Sequence, residues 1–274
     1  MTGLGDSAAG GARTPLRGLL VDWAGTIVDH GSRAPTRVFR EVFATEGVPI
    51  DEAEARAPMG MAKRDHIAAI LAMPRVAAAW RARHGRPAGD HDVGQLYERF
   101  LPLQRRVLAE HADVIAGAPA ALDFCRERGI AVGSTTGYTR ALMDVVAPLA
   151  AAAGIAPDVI VCSDEVPAGR PAPWSLFRAA ERLGVYPPAA CLVVDDTPAG
   201  IAAAINAGMR PLGVTRTGNG LGLSADEVAA LPAGELARRE LMVAASLREA
   251  GAEDCLSGIG DLPAWLVSRG LVGS

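Results

Sequence analysis

Apolar and polar positions follow different patterns in the two parts of this chain. The first apolar run, GLLVDW at 18–23, ends in Asp-Trp and is followed by AGT, which is typical of a buried strand that stops at a turn. After it, the spacing of apolar residues fits helices only. These helices are predicted over 35–47, 61–73, 74–85 and 93–113, with a loop at 85–92 and a kink at Pro102. Residues from about 34 to 109 are therefore predicted to be all helical.

From residue 119 onward, predicted helices and strands alternate. The strands are short apolar runs at 130–136, 158–163, 190–196 and 210–216. The helices around them are predicted at 119–129, 140–154, 173–184 and 199–208. Alternation of this kind is typical of βαβ units that build a parallel sheet. We therefore predict an α/β fold, with a Rossmann-like parallel sheet core and an inserted helical domain.

The remaining segments complete this division. The predicted boundaries are 1–14 for a disordered tail rich in Gly and Ala, 15–33 and 110–274 for the core, and 34–109 for the helical domain. The glycine-rich loop at 217–223 lacks the strand, GxGxxG and helix arrangement of a dinucleotide site. Ser224 and Glu227 predict a capping box for the helix that follows this loop.

Composition and charge narrow the class of protein. Half of the 274 residues are hydrophobic, so the chain can bury a large core, and its formal net charge of −4 argues against nucleic acid or an acidic membrane as a partner. No run reaches the roughly 20 apolar residues of a membrane span, and the start lacks the apolar segment of a signal peptide. The four cysteines form no CxxC pair, so we expect free thiols, a reducing compartment and a cytoplasmic location.

Lysine occurs once in this chain. Lys63 is the single lysine among 27 lysine and arginine residues. Arginine also stays charged and pairs with carboxylates, but an imine with a carbonyl needs a primary amine that can lose its proton. Met59, Lys63 and His66 are spaced i, i+4 and i+7, which would place them on one face of a helix. Two interpretations are open here: a catalytic amine, or one lysine left by a compositional bias towards Arg, Ala, Gly and Pro.

Polar residues follow four of the predicted strands. They are Asp22, then Thr135–Thr136–Gly137, then Ser163–Asp164, then Asp195–Asp196–Thr197, and Arg170 stands just before a helix. Parallel α/β sheets place their sites at these strand ends. Mg²⁺ takes carboxylate oxygens, and a phosphoryl group binds to backbone N–H groups, hydroxyls and a cation. One aspartate alone would be read as a helix cap or turn residue, but four such strand ends predict a site for a divalent metal and a phosphoryl oxyanion.

The motifs that contain these residues carry a family resemblance. Four of them resemble the motifs of the haloacid dehalogenase superfamily: DWAGT at 22–26, STTGYT at 134–139, AGRPAPW at 168–174 and VVDDT at 193–197. A fifth, MGMAKRDH at 59–66, resembles the lysine motif in the cap domain of the phosphonatase branch. The similarity runs from about residue 16 to the end of the chain. It implies a parallel sheet core with a helical cap inserted after the first motif.

The chain departs from the general superfamily pattern at several positions. Ala24 stands where most phosphatases of the superfamily have a second Asp that protonates the leaving oxygen, and Arg170 stands where many relatives have Lys. Ser32 replaces a Cys found in some phosphonatases, and no role is assigned to it. Gly200 stands where others have a further acidic residue, so Asp195 is expected to supply a carboxylate in that region instead.

The missing acid and the single amine explain each other. An enzyme that cleaves a P–C bond has no leaving oxygen to protonate. It needs instead an acceptor for the electron pair of the leaving carbon. A protonated imine accepts this pair and becomes an enamine. The resemblance implies hydrolysis of phosphonoacetaldehyde to acetaldehyde and phosphate through a lysine imine and an aspartyl-phosphate. It also implies Mg²⁺ as cofactor, a small-molecule phosphonate as substrate and a homodimer.

The resemblance also implies a role for each candidate residue. Catalysis is expected from Asp22, Lys63 and His66, where His66 would shuttle protons. Substrate contacts are expected from Thr136, Gly137, Arg170 and Met59, where Met59 would form an apolar wall beside the amine. The metal ligands are expected to be Asp22, the carbonyl of Ala24 and Asp196. The alternatives are purely structural roles: a buried, hydrogen-bonded histidine at His66 and side-chain packing at Met59.

Two other functions stay open on sequence grounds. One is a phosphomonoesterase or phosphosugar mutase of the same superfamily, which Ala24 disfavours and which activity on a generic aryl phosphate would favour. The other is a catalytically silent binding or regulatory protein. The joint presence of the full set disfavours that second alternative: Asp22, Lys63, Thr136, Arg170 and Asp196.

Overall fold

A six-stranded parallel sheet forms the centre of the molecule. The computed structural model describes residues 14–272. The strands are β1 (Gly18–Val21), β2 (Ala131–Thr135), β3 (Val159–Val161), β4 (Cys191–Asp195), β5 (Arg210–Val214) and β6 (Asp254–Leu256). They pair in the order β3-β2-β1-β4-β5-β6, and every pair is parallel.

Both faces of this sheet are buried. In β1, Leu19 and Val21 join one apolar cluster, whereas the intervening Leu20 joins a second cluster on the other face. Because helices cover both faces, the central strands are near-continuous apolar runs rather than alternating ones. This is why the short runs in the sequence could be recognised as strands.

Helices occupy the insertion after β1 and the connections between the later strands. The insertion, which we call the helical insertion, contains α1 (Arg33–Thr45), α2 (Glu52–Arg56), α3 (Lys63–Ala72), α4 (Pro74–His84) and α5 (Asp90–Leu108). The core contains α6 (Ala118–Glu127), α7 (Arg140–Ala152), α8 (Trp174–Leu183), α9 (Pro198–Asn206), α10 (Ala225–Ala230), α11 (Ala233–Glu249) and α12 (Leu262–Ser268). The predicted fold class, a parallel α/β core with a helical insertion after the first strand, is confirmed.

Several local predictions need correction. Helices α2, α11 and α12 and the edge strand β6 were not predicted, and α5 begins at Asp90, inside the predicted loop. The reason at α5 is that Asp92 accepts a hydrogen bond from the backbone N–H of Gly89 and so starts the helix early. The capping box of Ser224 and Glu227 is confirmed. Of the predicted tail, residues 1–13 lie outside the described part of the chain, and the exact domain boundaries stay a prediction.

Two further features bear on the sequence-based expectations. All four cysteines are free, as predicted, and Cys162 and Cys191 are buried. Within residues 14–272, none of the helices combines the length and apolar character that crossing a membrane would require.

Candidate active site

The carboxyl ends of β1, β2 and β4 meet at one edge of the sheet, as expected for parallel strands. Asp22 directly follows β1, and its backbone N–H donates to the carbonyl of Val194 in β4 at 3.0 Å. Thr136 follows β2, and Asp196 follows β4. The side chains predicted from separate motifs therefore do lie together.

Three carboxylates form a buried cluster at this edge. Oxygen atoms of Asp22, Asp195 and Asp196 all lie within 4.8 Å of one another. Burial, and then the charge of Asp22, raises the pKa of Asp195 to about 6 and that of Asp196 well above its usual range. Buried carboxylates that repel one another are stabilised by a bound cation, and hard divalent cations prefer such oxygen ligands. The residues therefore fit a divalent metal ion.

Asp195 fills the space that a side chain at position 200 would need. A Cβ atom built on Gly200 would lie 1.9 Å from Oδ2 of Asp195. The Asp195 carboxylate is held there by the backbone N–H and the hydroxyl of Thr197, at 2.9 and 2.7 Å. The sequence-based expectation that Asp195 brings a carboxylate to the region of Gly200 agrees with this geometry.

Arg170 joins the carboxylates to β2. Its Nη1 lies 2.7 Å from Asp22 and 3.0 Å from Asp195, while Nη2 donates to the carbonyl and the hydroxyl of Thr135 at 2.9 and 2.6 Å. Burial acts to lower the pKa of Arg170, but the negative charges of Asp195 and Asp22 outweigh it, so its pKa is raised. Arg170 is a fixed positive charge beside Asp22 at any physiological pH.

A narrow cavity lies between this edge of the sheet and the helical insertion. Its volume of ≈ 20 Å³ has room for about one water molecule. The lining residues are Asp22, Ala24, Ser32, Pro35, Met59, Gly60, Lys63, Thr136, Gly137, Tyr138, Arg170 and Thr197. A larger cavity of ≈ 510 Å³, lined by Thr14, Ala189, Arg210, Glu253 and Arg269, lies near the amino ends of the strands, and its lining includes neither an amine nor a group of carboxylates. The chemistry-bearing groups identify the small cavity as the candidate site.

Lys63 projects into this cavity from the first turn of α3. Its side chain is buried, with Nζ 5.1 Å from the ring centre of Tyr138 and 5.7 Å from that of Phe39. Burial lowers the pKa of Lys63 to about 8, although the charge of Asp22 acts in the opposite direction. At pH 7 roughly a tenth of the Lys63 side chains are therefore neutral, far more than for an exposed lysine, and the neutral form is the one that a nucleophilic amine requires.

Met59 and His66 are arranged differently from the predicted single helix face. Because α3 begins at Lys63, Met59 lies on the preceding turn, yet it still lines the cavity. His66 does not line it. The His66 ring stacks on Phe39 with 3.8 Å between ring centres, and Nε2 lies 2.9 Å from the carbonyl of Ala55. Burial, and then the charge of Lys63, holds the pKa of His66 well below its usual range, so the ring is neutral.

Tyr138 and Ser32 line the cavity although no role was predicted for them. Tyr138 stands inside the STTGYT motif, so its position next to Thr136 and Gly137 was a usable signal. Ser32 has a left-handed backbone, with φ of 49°, just before α1. Nothing in its sequence neighbourhood distinguishes it from an ordinary serine in a turn.

Comparison with known proteins agrees with this geometry. The family model for haloacid dehalogenase-like hydrolases matches residues 16–208. The chain therefore belongs to the haloacid dehalogenase-like hydrolases, and it is an enzyme.

The similarity extends to one branch of that family. A phosphonoacetaldehyde hydrolase from Nitratidesulfovibrio vulgaris is 46% identical over 90% of this chain and 88% of the relative. A phosphonoacetaldehyde hydrolase from Paraburkholderia phytofirmans is 42% identical over 90% of this chain and 92% of the relative. The crystal structure of a phosphonoacetaldehyde hydrolase-like protein from Oleispira antarctica superposes with a TM-score of 0.92 at 35% identity, covering 94% of this chain and 95% of that one. Within the family, the chain groups with these phosphonoacetaldehyde hydrolases, which confirms the resemblance seen in its motifs.

Proposed function

We propose that this enzyme hydrolyses the P–C bond of phosphonoacetaldehyde, giving acetaldehyde and phosphate. The observation that carries the proposal is the pairing of two nucleophiles in one narrow cavity: the amine of Lys63 and the carboxylate of Asp22. An aldehyde carbon and a phosphorus atom two bonds apart need these two kinds of nucleophile. The names of the relatives support the same substrate.

Phosphonate binding is assigned to the residues at the sheet edge. Arg170 offers N–H groups, Thr136 a hydroxyl and Gly137 a backbone N–H for the phosphonate oxygens. Asp22, the carbonyl of Ala24 and Asp196 would hold Mg²⁺, which supplies neutralisation of the phosphonate charge. In this arrangement Arg170 also keeps the Asp22 carboxylate fixed for its attack.

The first covalent step joins Lys63 to the substrate. The neutral amine adds to the aldehyde carbon, and loss of water gives an imine, which is protonated on nitrogen. Met59 and the rings around Nζ keep this centre dry, which favours the neutral amine before the reaction.

The second step breaks the P–C bond. A carboxylate oxygen of Asp22 attacks phosphorus in line, forming an aspartyl-phosphate. The electron pair of the breaking P–C bond moves to the protonated imine and forms an enamine on Lys63. Ala24 supports this route over ester hydrolysis, because no side-chain acid stands there to protonate a leaving oxygen.

Release requires two hydrolyses and a proton. The enamine takes a proton on carbon, and water then cleaves the resulting imine to acetaldehyde and free Lys63. A second water cleaves the aspartyl-phosphate. Because Nε2 of His66 is engaged with the carbonyl of Ala55, Nδ1 is the nitrogen left to exchange protons, and it has no hydrogen-bond partner among the described residues. His66 does not line the cavity, so its role in this transfer would be indirect, through a water or through Lys63.

We also propose that the enzyme acts in the cytoplasm as a homodimer on this small phosphonate, without a nucleic-acid or membrane partner. The four free thiols fit a reducing compartment. Light scattering after gel filtration would test the dimer, for which a mass near 28.3 kDa would be the contradicting result.

Incubation with phosphonoacetaldehyde and Mg²⁺ tests the reaction, with acetaldehyde and phosphate assayed in the same sample. Equal amounts of the two products are expected. Phosphate from a generic aryl phosphate, with none from phosphonoacetaldehyde, would favour the phosphomonoesterase alternative instead.

A further inference from the structure

Arg56 links the helical insertion to the glycine-rich loop of the core. It is the last residue of α2, and its side chain is largely buried. Nη1 donates to the carbonyl of Gly31 at 2.8 Å and to Oδ1 of Asn219 at 3.1 Å, and Nη2 donates to the carbonyl of Gly222 at 2.9 Å. Within the insertion, the same guanidinium pairs with Glu52 at 2.8 Å. One side chain thus bonds to the insertion, to the linker before α1 and to the loop at 217–223.

Asn219 completes a path from that guanidinium to the carboxylate cluster. Its Nδ2 donates to the main-chain carbonyl of Arg56 at 3.3 Å, so the two residues bond to each other in both directions. Its backbone N–H donates to Oδ2 of Asp196 at 2.6 Å. The peptide that orients Asp196 is therefore held by a residue of the helical insertion.

Two glycines of the loop make these close approaches sterically feasible. A Cβ atom on Gly222, where φ is +71°, would lie 2.7 Å from Cζ of Arg56. A Cβ atom on Gly218 would lie 2.5 Å from Cβ of Asp196. The glycine-rich segment at 217–223 is therefore shaped to lie against the guanidinium on one side and the carboxylate on the other, which gives it a role other than dinucleotide binding.

We propose that Arg56 and Asn219, the Arg56–Asn219 pair, are positioning residues that couple closure of the helical insertion to the orientation of Asp196. The proposal rests on the proposed function, in which Lys63 of the insertion must reach a substrate held at the sheet edge. A cavity of ≈ 20 Å³ cannot admit the substrate, so the insertion has to open and close again. On closure, the Arg56–Asn219 pair forms and sets the Asp196 carboxylate in place as Lys63 enters the site.

Metal affinity and turnover together test this coupling. Binding of Mn²⁺, followed by electron paramagnetic resonance without substrate, is compared in the wild type, Arg56→Ala, Asn219→Ala and the double variant. We expect the Mn²⁺ affinity of each single variant to be at least about fivefold below that of the wild type. The double variant should have the same affinity as the single variant that binds Mn²⁺ less tightly. The Mg²⁺ concentration for half-maximal cleavage of phosphonoacetaldehyde should rise by a similar factor.

Arg75→Ala is the matched control. Arg75 also bonds to α2, through Glu54, and to the carbonyl of Pro49, but all of these contacts stay inside the insertion. It should lower thermal stability without changing Mn²⁺ affinity. Mn²⁺ affinities of Arg56→Ala and Asn219→Ala equal to that of Arg75→Ala, or losses that add fully in the double variant, would overturn the proposal.

Cleavage of phosphonoacetaldehyde and the role of the Arg56–Asn219 pair are tested by separate measurements. A wild type that leaves phosphonoacetaldehyde intact overturns the proposed function, while the Mn²⁺ titrations still decide the coupling. If Arg56→Ala does not fold, Arg56→Lys decides in its place, since one ammonium group cannot reach Gly31, Asn219 and Gly222 together. Wild-type Mn²⁺ affinity in a folded Arg56→Lys and in Asn219→Ala would count against the coupling.

Discussion

The positive charge of Lys63 is the least compensated charge of the site. Arg170 contacts two carboxylates, whereas Lys63 faces two aromatic rings and forms no ion pair with a described carboxylate. Cation–π contact offsets only part of the desolvation of a buried ammonium. The lowered pKa of about 8 follows from this imbalance, and it determines how the enzyme should respond to pH.

Activity should rise with pH up to about 8 and then level off. Because the reactive form is the neutral amine and the pKa of Lys63 is lowered to about 8, the neutral fraction falls about tenfold for each pH unit below that value. The measurement is the initial rate of borohydride trapping of the substrate imine from pH 6 to 9. A rate that still rises about tenfold between pH 8 and pH 9, as for an exposed lysine, would contradict the buried position of the amine.

Lys63→Arg should be inactive while keeping its fold. Arginine preserves the positive charge but cannot form an imine. The matched control is the double variant Lys63→Arg with Arg64→Lys, which moves the single amine by one residue to an exposed position of α3. Neither variant should release acetaldehyde, and mass spectrometry should find borohydride adducts at Lys63 of the wild type only. Substantial turnover by Lys63→Arg would reduce Lys63 to an electrostatic anchor.

Ala24→Asp should slow P–C cleavage. The new carboxylate would lie beside Asp22 and the phosphonate, and like charges there raise the barrier to attack. We expect a loss of at least ~10-fold in kcat/KM, or roughly 1.4 kcal/mol. Aryl phosphate hydrolysis, measured in parallel, should stay equal or rise slightly. Faster cleavage of phosphonoacetaldehyde by this variant would break the link between Ala24 and the chemistry of Lys63.

At this scale, residue types could be predicted from the sequence but their electrostatics could not. Asp22, Lys63 and Arg170 could be identified because the ends of strands and the presence of a single lysine can be recognised in the amino-acid sequence. The double ion pair of Arg170 and the stacking of His66 depend on residues more than 20 positions away, which no local pattern specifies. The predicted proton-transfer role of His66 stays a prediction.

At the scale of elements, the predictions succeeded where a segment has a clear apolar pattern, and they missed the 17-residue α11, of which only Ala244 and Leu247 are buried. The central strands are short, nearly continuous apolar runs, and most of the predicted helices have apolar residues at helical spacing. The short α2 depends on a capping box between Asp51 and Glu54 rather than on an apolar face, and β6 is a three-residue edge strand with a half-exposed pattern. Such elements are fixed by their neighbours, so a single sequence carries little signal for them.

The packing of α9 against the end of β4 should not tolerate a methyl group at position 200. Because a Cβ atom there would lie 1.9 Å from the Asp195 carboxylate, Gly200→Ala forces β4 and α9 apart or displaces Asp195. We expect a loss of about 1–3 kcal/mol in the free energy of unfolding, measured by urea denaturation. Gly234→Ala is the control, since that helical glycine has open space around it, and it should be neutral or stabilising by up to about 1 kcal/mol. Equal stability of the two variants would contradict the close contact.

At the scale of the whole molecule, the site exists only while the helical insertion lies on the sheet. Lys63 comes from the insertion, Asp22 from β1 and Arg170 from the connection after β3, so no single unit contains the reacting groups. The sequence could indicate which residues belong to the site, because motifs are local. It could not indicate that the cavity is narrowed to ≈ 20 Å³, since that depends on how two distant segments meet.

This closure predicts a slow reaction of Lys63 with amine reagents. In the closed arrangement, the Lys63 side chain is 4% exposed, so an N-hydroxysuccinimide ester can reach it only when the insertion opens. Opening is a minor state, so labelling in the native protein should be at least ~10-fold slower than in urea. Adding Mg²⁺ and inorganic phosphate should slow it further, because ligands at the sheet edge favour closure. In the variant with Lys63→Arg and Arg64→Lys, the amine lies outside the cavity, so its labelling should be fast and insensitive to phosphate. Labelling of the wild type at the rate of that variant, mapped by mass spectrometry of the peptide, would show that Lys63 is open to solvent and that substrate entry needs no movement of the insertion.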